Sequence, residues 1–234
     1  MDRERAWQRL RQTAHPLWSL TVLRRTRPIG ENWGWDRGTP IDRFYIEAFL
    51  DRHRRDIQGR VVEVKDALYT RRFGEGVTKS DVLDIDPANA RATVHADLAA
   101  AATVPSGSFD CVILTQTLQF VFDVRAALAH LHRILTPGGV VLTTVPTLSR
   151  VIAPGSEEGT DYWRFTPAAC AELFGAAFGA QNVLVEPLGN VLAGVAFLHG
   201  LAAEEVPARK LERHDPEFPL VVAVRAVKRS PGIR

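Results

Sequence analysis

Cysteine is scarce, charge is nearly balanced and no apolar run is long. The 234 residues include two cysteines, Cys111 and Cys170. Two such residues make no disulfide framework, and a reducing compartment fits. Cys111 sits in an apolar run and reads as core. The formal net charge is +2, so bulk charge gives no case for a nucleic-acid partner. No segment approaches the roughly 20 apolar residues of a membrane helix, and no membrane partner is expected. The charged N-terminus leads into no long apolar stretch. No signal peptide is therefore expected, and the cytoplasm is the expected location. The seven histidines are scattered. His130 and His132, two apart on a helix, point to different faces. No Cys/His/Asp cluster has metal spacing, so no metal is expected. The sequence also lacks a G-x-S-x-G elbow, a phosphate loop and a G-x-G-x-x-G turn.

What is present is ordinary for a soluble domain: 46% hydrophobic and 24% charged residues. The length suits one sizeable α/β domain with extensions. Arginines crowd the N-terminus at Arg3, Arg5, Arg9, Arg11, Arg24, Arg25 and Arg27. A solvated face is the plain reading, and an anionic substrate is the sharper one. Residues 1–38 read as an N-terminal extension, with Trp18, Trp33 and Trp35 among arginines and glycines. Residues 39–229 read as the main domain, and 230–234 as a flexible tail.

Thr39-Pro40 opens a helix, with Thr39 as cap and an apolar stripe of Ile41, Phe44, Tyr45, Phe49 and Leu50. Short apolar runs then alternate with helical stretches. Val61, Val62 and Val64 form the first run, Val77 to Leu83 the second, and Ala92 to His95 a weak third. Phe109 to Thr115 is continuous, as in a strand buried on both faces. Asp123 caps a helix that Thr136-Pro137-Gly138-Gly139 ends, before Val140–Val145. Thr166-Pro167 opens another helix, and Asn182–Glu186 and Leu220–Val227 read as the last strands. Strands separated by helices imply a mostly parallel, doubly wound sheet with helices on both faces. Such a sheet binds its ligand beyond the carboxyl ends of its strands. Residues 146–165 and 188–219 are insertions, the second with a helix over Val191 to Leu201. Each suits a lid or a substrate wall. For the second, packing or a homodimer contact is the alternative.

The residues after each strand carry the functional signal. The first strand runs into Val62-Glu63-Val64-Lys65-Asp66-Ala67. Asp81 ends the second run, where an acid can accept both ribose hydroxyls of an adenosine; Asp84 and Asp86 are its rivals. Asp97-Leu98 follows the third strand, and Ser108-Phe109-Asp110 opens the fourth. Thr115 and Gln116 close the fourth strand with polar side chains. These acidic and polar groups are expected to converge on one cavity.

This order of elements resembles class I S-adenosylmethionine-dependent methyltransferases, and Leu135-Thr136-Pro137-Gly138-Gly139 is similar to their L-K-P-G-G turn. The resemblance implies a Rossmann-like fold with an antiparallel last strand and S-adenosylmethionine as cofactor. It implies cofactor contacts at Glu63, Val64, Lys65, Asp66, Asp81, Asp97, Leu98, Thr115 and Gln116. The family's first loop reads V-L-E-x-G-x-G, where glycines let the backbone approach the methionine part of the cofactor. Here Glu63 matches, but Lys65 and Ala67 replace the glycines. A subgroup lacking these glycines resembles the chain over nearly its whole length. The shared strings include Asp36-Arg37-Gly38-Thr39-Pro40-Ile41-Asp42-Arg43 and Tyr69-Thr70-Arg71-Arg72-Phe73-Gly74. Asp161-Tyr162-Trp163-Arg164 recurs beside the family's acceptor pocket, which implies substrate contacts at Tyr162, Trp163 and Arg164. Asp161 and His199 are the candidate general bases.

The expected activity is O-methylation of a small-molecule sugar, glycoside or other natural-product scaffold. One alternative is a degenerate relative that binds the cofactor structurally or catalyses another reaction. A nicotinamide-dependent oxidoreductase is disfavoured by the missing glycine fingerprint.

Overall fold

The computed structural model describes residues 25–152, 155–156 and 159–229. Trp18, the arginines up to Arg24 and the proposed tail at 230–234 lie outside them. The elements run α1 (Ile41–Arg52), β1 (Gly59–Val64), α2 (Leu68–Phe73), β2 (Val77–Asp84), β3 (Val94–His95) and β4 (Phe109–Thr115). They continue with α3 (Val124–Ile134), β5 (Leu135–Pro146), α4 (Pro167–Phe178), β6 (Val183–Leu188), α5 (Val191–Leu198), α6 (Ala208–Leu211) and β7 (Val221–Val227).

All seven strands form one sheet in the order β3-β2-β1-β4-β5-β7-β6. Strands β1 to β5 are mutually parallel, and β7 lies antiparallel between β5 and β6. Strand order reverses between β1 and β4, which leaves a crevice above their carboxyl ends. This is the expected doubly wound sheet with an antiparallel last strand.

Successive strand residues face opposite sides, and both sides are covered. Val62, Val112, Leu114, Val141 and Val222 pack under α3 and α4. Val61, Cys111, Ile113, Leu142 and Ala223 pack under α1, α2 and α5. The continuous apolar run of β4 follows from that double burial. Helix starts match their chemistry. Asp123 accepts the Ala126 N–H, and Thr166 Oγ1 accepts the Ala169 N–H ahead of Pro167. Thr39 does not cap α1, contrary to expectation. Its hydroxyl instead donates to Glu204 at 2.7 Å, and its amide to the same carboxylate at 2.9 Å.

That exchange shows how the segment before α1 is held. Arg37 pairs with Glu205, with Nε at 2.8 Å, and Ala203 N–H donates to the Thr39 carbonyl. Further up, Ile29 and Gly30 both donate to the His199 carbonyl at 2.9 Å. Residues 29–39 are thus laced to 199–205, and Trp33 and Trp35 come over the carboxyl end of the sheet. Gly200 makes the lacing feasible. It has φ +69, and a Cβ there would lie 2.1 Å from the Gly30 carbonyl oxygen.

Gly200→Ala therefore combines a left-handed strain and a backbone clash, together about 1–3 kcal/mol. Thermal unfolding should show Tm falling by roughly 2–4 °C per kcal/mol. An unchanged Tm would mean that residues 29–39 are not anchored there.

Candidate functional site

A cavity of about 390 Å³ opens above the carboxyl ends of β1, β4 and β5. Its floor is Glu63 and Val64 at the end of β1 with Lys65 and Asp66 after it, and Thr115 at the end of β4 with Gln116, Thr117 and Gln119 after it. Its walls are Trp33, Trp35, Asp42 and Arg43 on one side, and Arg150, Ile152, Asp161 and Arg164 of the 146–165 loop on another.

Three non-glycine residues of the described chain have left-handed backbones: Trp33 (φ 52), Lys65 (φ 69) and Gln116 (φ 48). All three line this cavity. Left-handed strain in side-chain-bearing residues concentrates at functional sites, because only surrounding structure can hold it. Here the holding bonds are visible. Lys65 N–H donates to the Leu83 carbonyl and Asn89 Nδ2 to the Lys65 carbonyl, each at 3.0 Å. Gln116 N–H donates to the Thr144 carbonyl at 2.8 Å, and Gln119 Nε2 donates to the Gln116 carbonyl at 3.0 Å.

Glu63 is buried at the end of β1. It accepts the Tyr69 N–H at 3.0 Å, the Thr70 N–H at 2.7 Å and the Thr70 hydroxyl at 2.8 Å. It therefore caps α2, a helix the sequence pattern did not reveal. Burial pushes its carboxyl up, and the Thr70 and Tyr69 amides offset part of that. Asp66 pairs with Arg71 at 2.9 Å and Arg91 at 2.6 Å. Lys65 has no ion-pair partner among the described residues.

Asp81 is not where the sequence placed it. Strand β2 continues three residues further, so Asp81 lies within the strand and away from the cavity. It is buried, accepting Arg60 Nε at 2.7 Å and the Thr93 hydroxyl at 2.9 Å. Against the cost of burial, these donors hold its carboxyl below the usual range. The acid at the carboxyl end of β2 is Asp84. It accepts the Asp86 N–H at 3.0 Å and Asn89 Nδ2 at 2.7 Å. Asn89 thereby ties Asp84 to the Lys65 turn. The next residue, Ile85, leaves 67% of its surface exposed. Asp97 is exposed and accepts the Ala99 N–H at 2.8 Å, while Leu98 is buried beneath it. Neither lines the cavity.

The two candidate bases do not survive the geometry. Asp161 lines the cavity, but Arg164 grips both its oxygens, at 2.6 and 2.8 Å, and Ile152 N–H adds a third bond at 3.1 Å. The Arg164 guanidinium holds this carboxyl below the usual range, opposite to what a base near neutrality needs. Arg164 also donates to the Arg150 carbonyl at 2.8 Å, so the pair ties residues 150–152 to 161–164. His199 does not line the cavity; it caps α5, its carbonyl holds residues 29–30, and its Nδ1 is buried without a partner. Of the three substrate candidates, Arg164 alone lines the cavity. Tyr162 and Trp163 instead lie outside it in an exposed aromatic cluster with Phe122.

Sequence reasoning missed Asp42, Gln119 and Trp33 as cavity residues. Asp42 is only 9% exposed, and its Oδ1 has no partner. Burial pushes its carboxyl up, and Arg43 only partly offsets this. Arg43 donates to the Tyr69 hydroxyl at 3.3 Å. That bond joins the two strings, residues 36–43 and 69–74, that resemble the glycine-poor subgroup. Gln119 is buried with its Oε1 unpartnered, and Gln116 Nε2 is likewise unpartnered. Trp33 carries the Arg150 guanidinium 3.6 Å above its ring.

Residues 67–143 match the family model of a methyltransferase domain. The fold is that of a class I methyltransferase. A methyltransferase from Mesorhizobium loti, described as dependent on S-adenosylmethionine, is similar at TM-score 0.52 and 17% identity, covering 80% of this chain and 97% of its own. One from Archaeoglobus fulgidus is similar at 0.52 and 15%, covering 80% and 94%. The (4+2)-cyclase SpnF is similar at 0.53 and 15%, covering 88% and 87%. None of the curated proteins matches. The methyltransferase match makes S-adenosylmethionine the cofactor to set against the cavity. The cavity fits it: Gln116 Nε2 lacks an acceptor, and Asp42 Oδ1 and Gln119 Oε1 lack donors. A zwitterionic methionine end offers both. Among the described residues, no group of three His, Cys, Asp or Glu side chains is placed to hold a metal.

Asp161→Asn should lose about 1.5–3 kcal/mol of stability at pH 7, since it strips charge-assisted bonds from a buried carboxylate. Asp161 has a lowered folded pKa. Its contribution is complete above the ordinary carboxylate pKa and is lost as pH falls through the folded value. The Tm gap between wild type and variant should therefore close in acid. A constant gap from neutral pH to pH 3 would contradict this tie.

Proposed function

We propose that this protein transfers a methyl group from S-adenosylmethionine to an oxygen of a small sugar, glycoside or other natural-product scaffold. The observation that carries the reading is the cavity at the β1–β4 switch point, bounded by two held left-handed turns, the first of them tied through Asn89 to the acid at the end of β2. In this reading Asp84 takes the ribose hydroxyls, in place of Asp81. In the same reading Ile85 offers its exposed face to the adenine ring, and Asp97 is the candidate acceptor for the ring's amino group. Val64, Asp66 and Thr115 shape the floor under the rest. When bound, the cofactor supplies a methyl group on a sulfonium, already reactive towards a nucleophile.

The chain's own contribution is then alignment and exclusion of water. Trp33 and Trp35 close one side of the cavity, and the loop tied by Asp161 and Arg164 closes another. Aromatic faces beside Arg43 and Arg150 suit a ring bearing hydroxyls, which supports a polar scaffold as acceptor. A second reading is favoured by Lys65 standing where the family has glycine. In that reading the chain binds the cofactor without transferring the methyl. SpnF, a cyclase on the same fold, supports keeping it.

Calorimetry with S-adenosylmethionine and S-adenosylhomocysteine tests the cofactor. Both should bind, and Asp84→Ala should weaken both at least about tenfold, roughly 1.4 kcal/mol. Absence of heat at millimolar ligand would remove both readings. Incubating the loaded protein with hydroxylated scaffolds then separates them. A mass gain of one methyl group supports transfer, and an unchanged acceptor panel supports the second reading.

A further inference from the structure

The cavity's unused polar groups sort into two kinds. Lys65 and Gln116 Nε2 are donors. Lys65 has no ion-pair partner among the described residues, and Gln116 Nε2 has no hydrogen-bond partner. They leave β1 and β4, adjacent parallel strands, through matching left-handed turns. Asp42 Oδ1 and Gln119 Oε1 are acceptors, both on buried residues and both unpartnered. A buried polar atom without a partner costs about 1–3 kcal/mol, so three in one cavity call for a ligand or ordered water to complete them. A single ligand that also answers the charges of Lys65 and Asp42 presents an anionic acceptor to one pair and a cationic donor to the other. An α-amino acid does this with one carboxylate and one ammonium.

We infer that side chains, in place of a glycine-lined backbone, hold the amino-acid end of the cofactor in this chain. Lys65 and Gln116 take its carboxylate, and Asp42 and Gln119 take its ammonium. This rests on the cofactor reading above and adds how the chain does without the family's glycines. Glycine at position 65 would adopt φ +69 without strain, whereas lysine holds it at a cost of about 1–2 kcal/mol. The strain is compensated if the ammonium reaches a carboxylate. It also explains a carboxylate kept out of water at Asp42 beside, among the described residues, the one cation Arg43, whose guanidinium is turned to Tyr69.

The test compares two ligands by calorimetry. S-adenosylhomocysteine carries the amino acid; methylthioadenosine is the same nucleoside without it. Lys65→Met and Asp42→Asn should each weaken S-adenosylhomocysteine roughly tenfold or more, as expected for a lost charge-assisted bond. Both should leave methylthioadenosine unchanged, which also shows that the variants are folded. Lys65→Gly relieves the turn and should still lose affinity for S-adenosylhomocysteine. The inference is overturned if both ligands respond alike, if neither responds, or if Lys65→Gly binds S-adenosylhomocysteine as tightly as wild type. Wild-type protein that binds neither ligand would instead sink the cofactor reading itself.

Discussion

Two parallel strands, β1 and β4, end side by side and leave the sheet through left-handed residues that are not glycine. Everything at the site depends on those two turns. They open the crevice at the point where strand order reverses, and they set Lys65 and Gln116 on its floor. Neither turn is favourable alone. Each persists because its amide and its carbonyl are both engaged, by Leu83 and Asn89 at the first and by Thr144 and Gln119 at the second. Strain held this way keeps a binding site in shape before the ligand arrives.

The same economy explains the carboxylates. Most of the acids near the carboxyl end of the sheet are engaged in architecture. Glu63 starts α2, Asp161 clamps a loop, and Asp66 is shared between two arginines. Asp81 lies deeper in the sheet, where Arg60 and Thr93 neutralise its burial. Asp42 differs, because one of its oxygens is both buried and unpartnered. A carboxylate in that state destabilises the empty protein and is the group with most to gain from a bound cation.

How much could be read from the sequence follows from which physics was local. Phe109 to Thr115 was legible as a strand because double burial demands an unbroken apolar run. The starts of α3 and α4 were legible because Asp123 and Thr166 cap within three residues. Asp81 was mistaken for the end of β2 because the strand begins at an exposed, polar edge. Its apolar half, Val82 and Leu83, comes last, so the acid at the strand's end is Asp84. His199 could not be excluded from sequence, since only the folded α5 shows its ring outside the cavity wall. Asp42 and Trp33 were hidden for the opposite reason. The segments they meet at the cavity, 69–74 and 146–165, are far away in the chain, and no spacing rule connects those to residues 29–43. The strings that resemble the glycine-poor subgroup were the one available signal, and the Arg43–Tyr69 bond shows what joins them.

A crystal structure of the complex with S-adenosylhomocysteine tests the central claim most directly. The account predicts positive φ at Lys65 and Gln116, with the amino-acid end of the ligand lying between them and the ribose on Asp84. A ligand bound elsewhere on the sheet, or a Lys65 turn relaxed to negative φ, would contradict it.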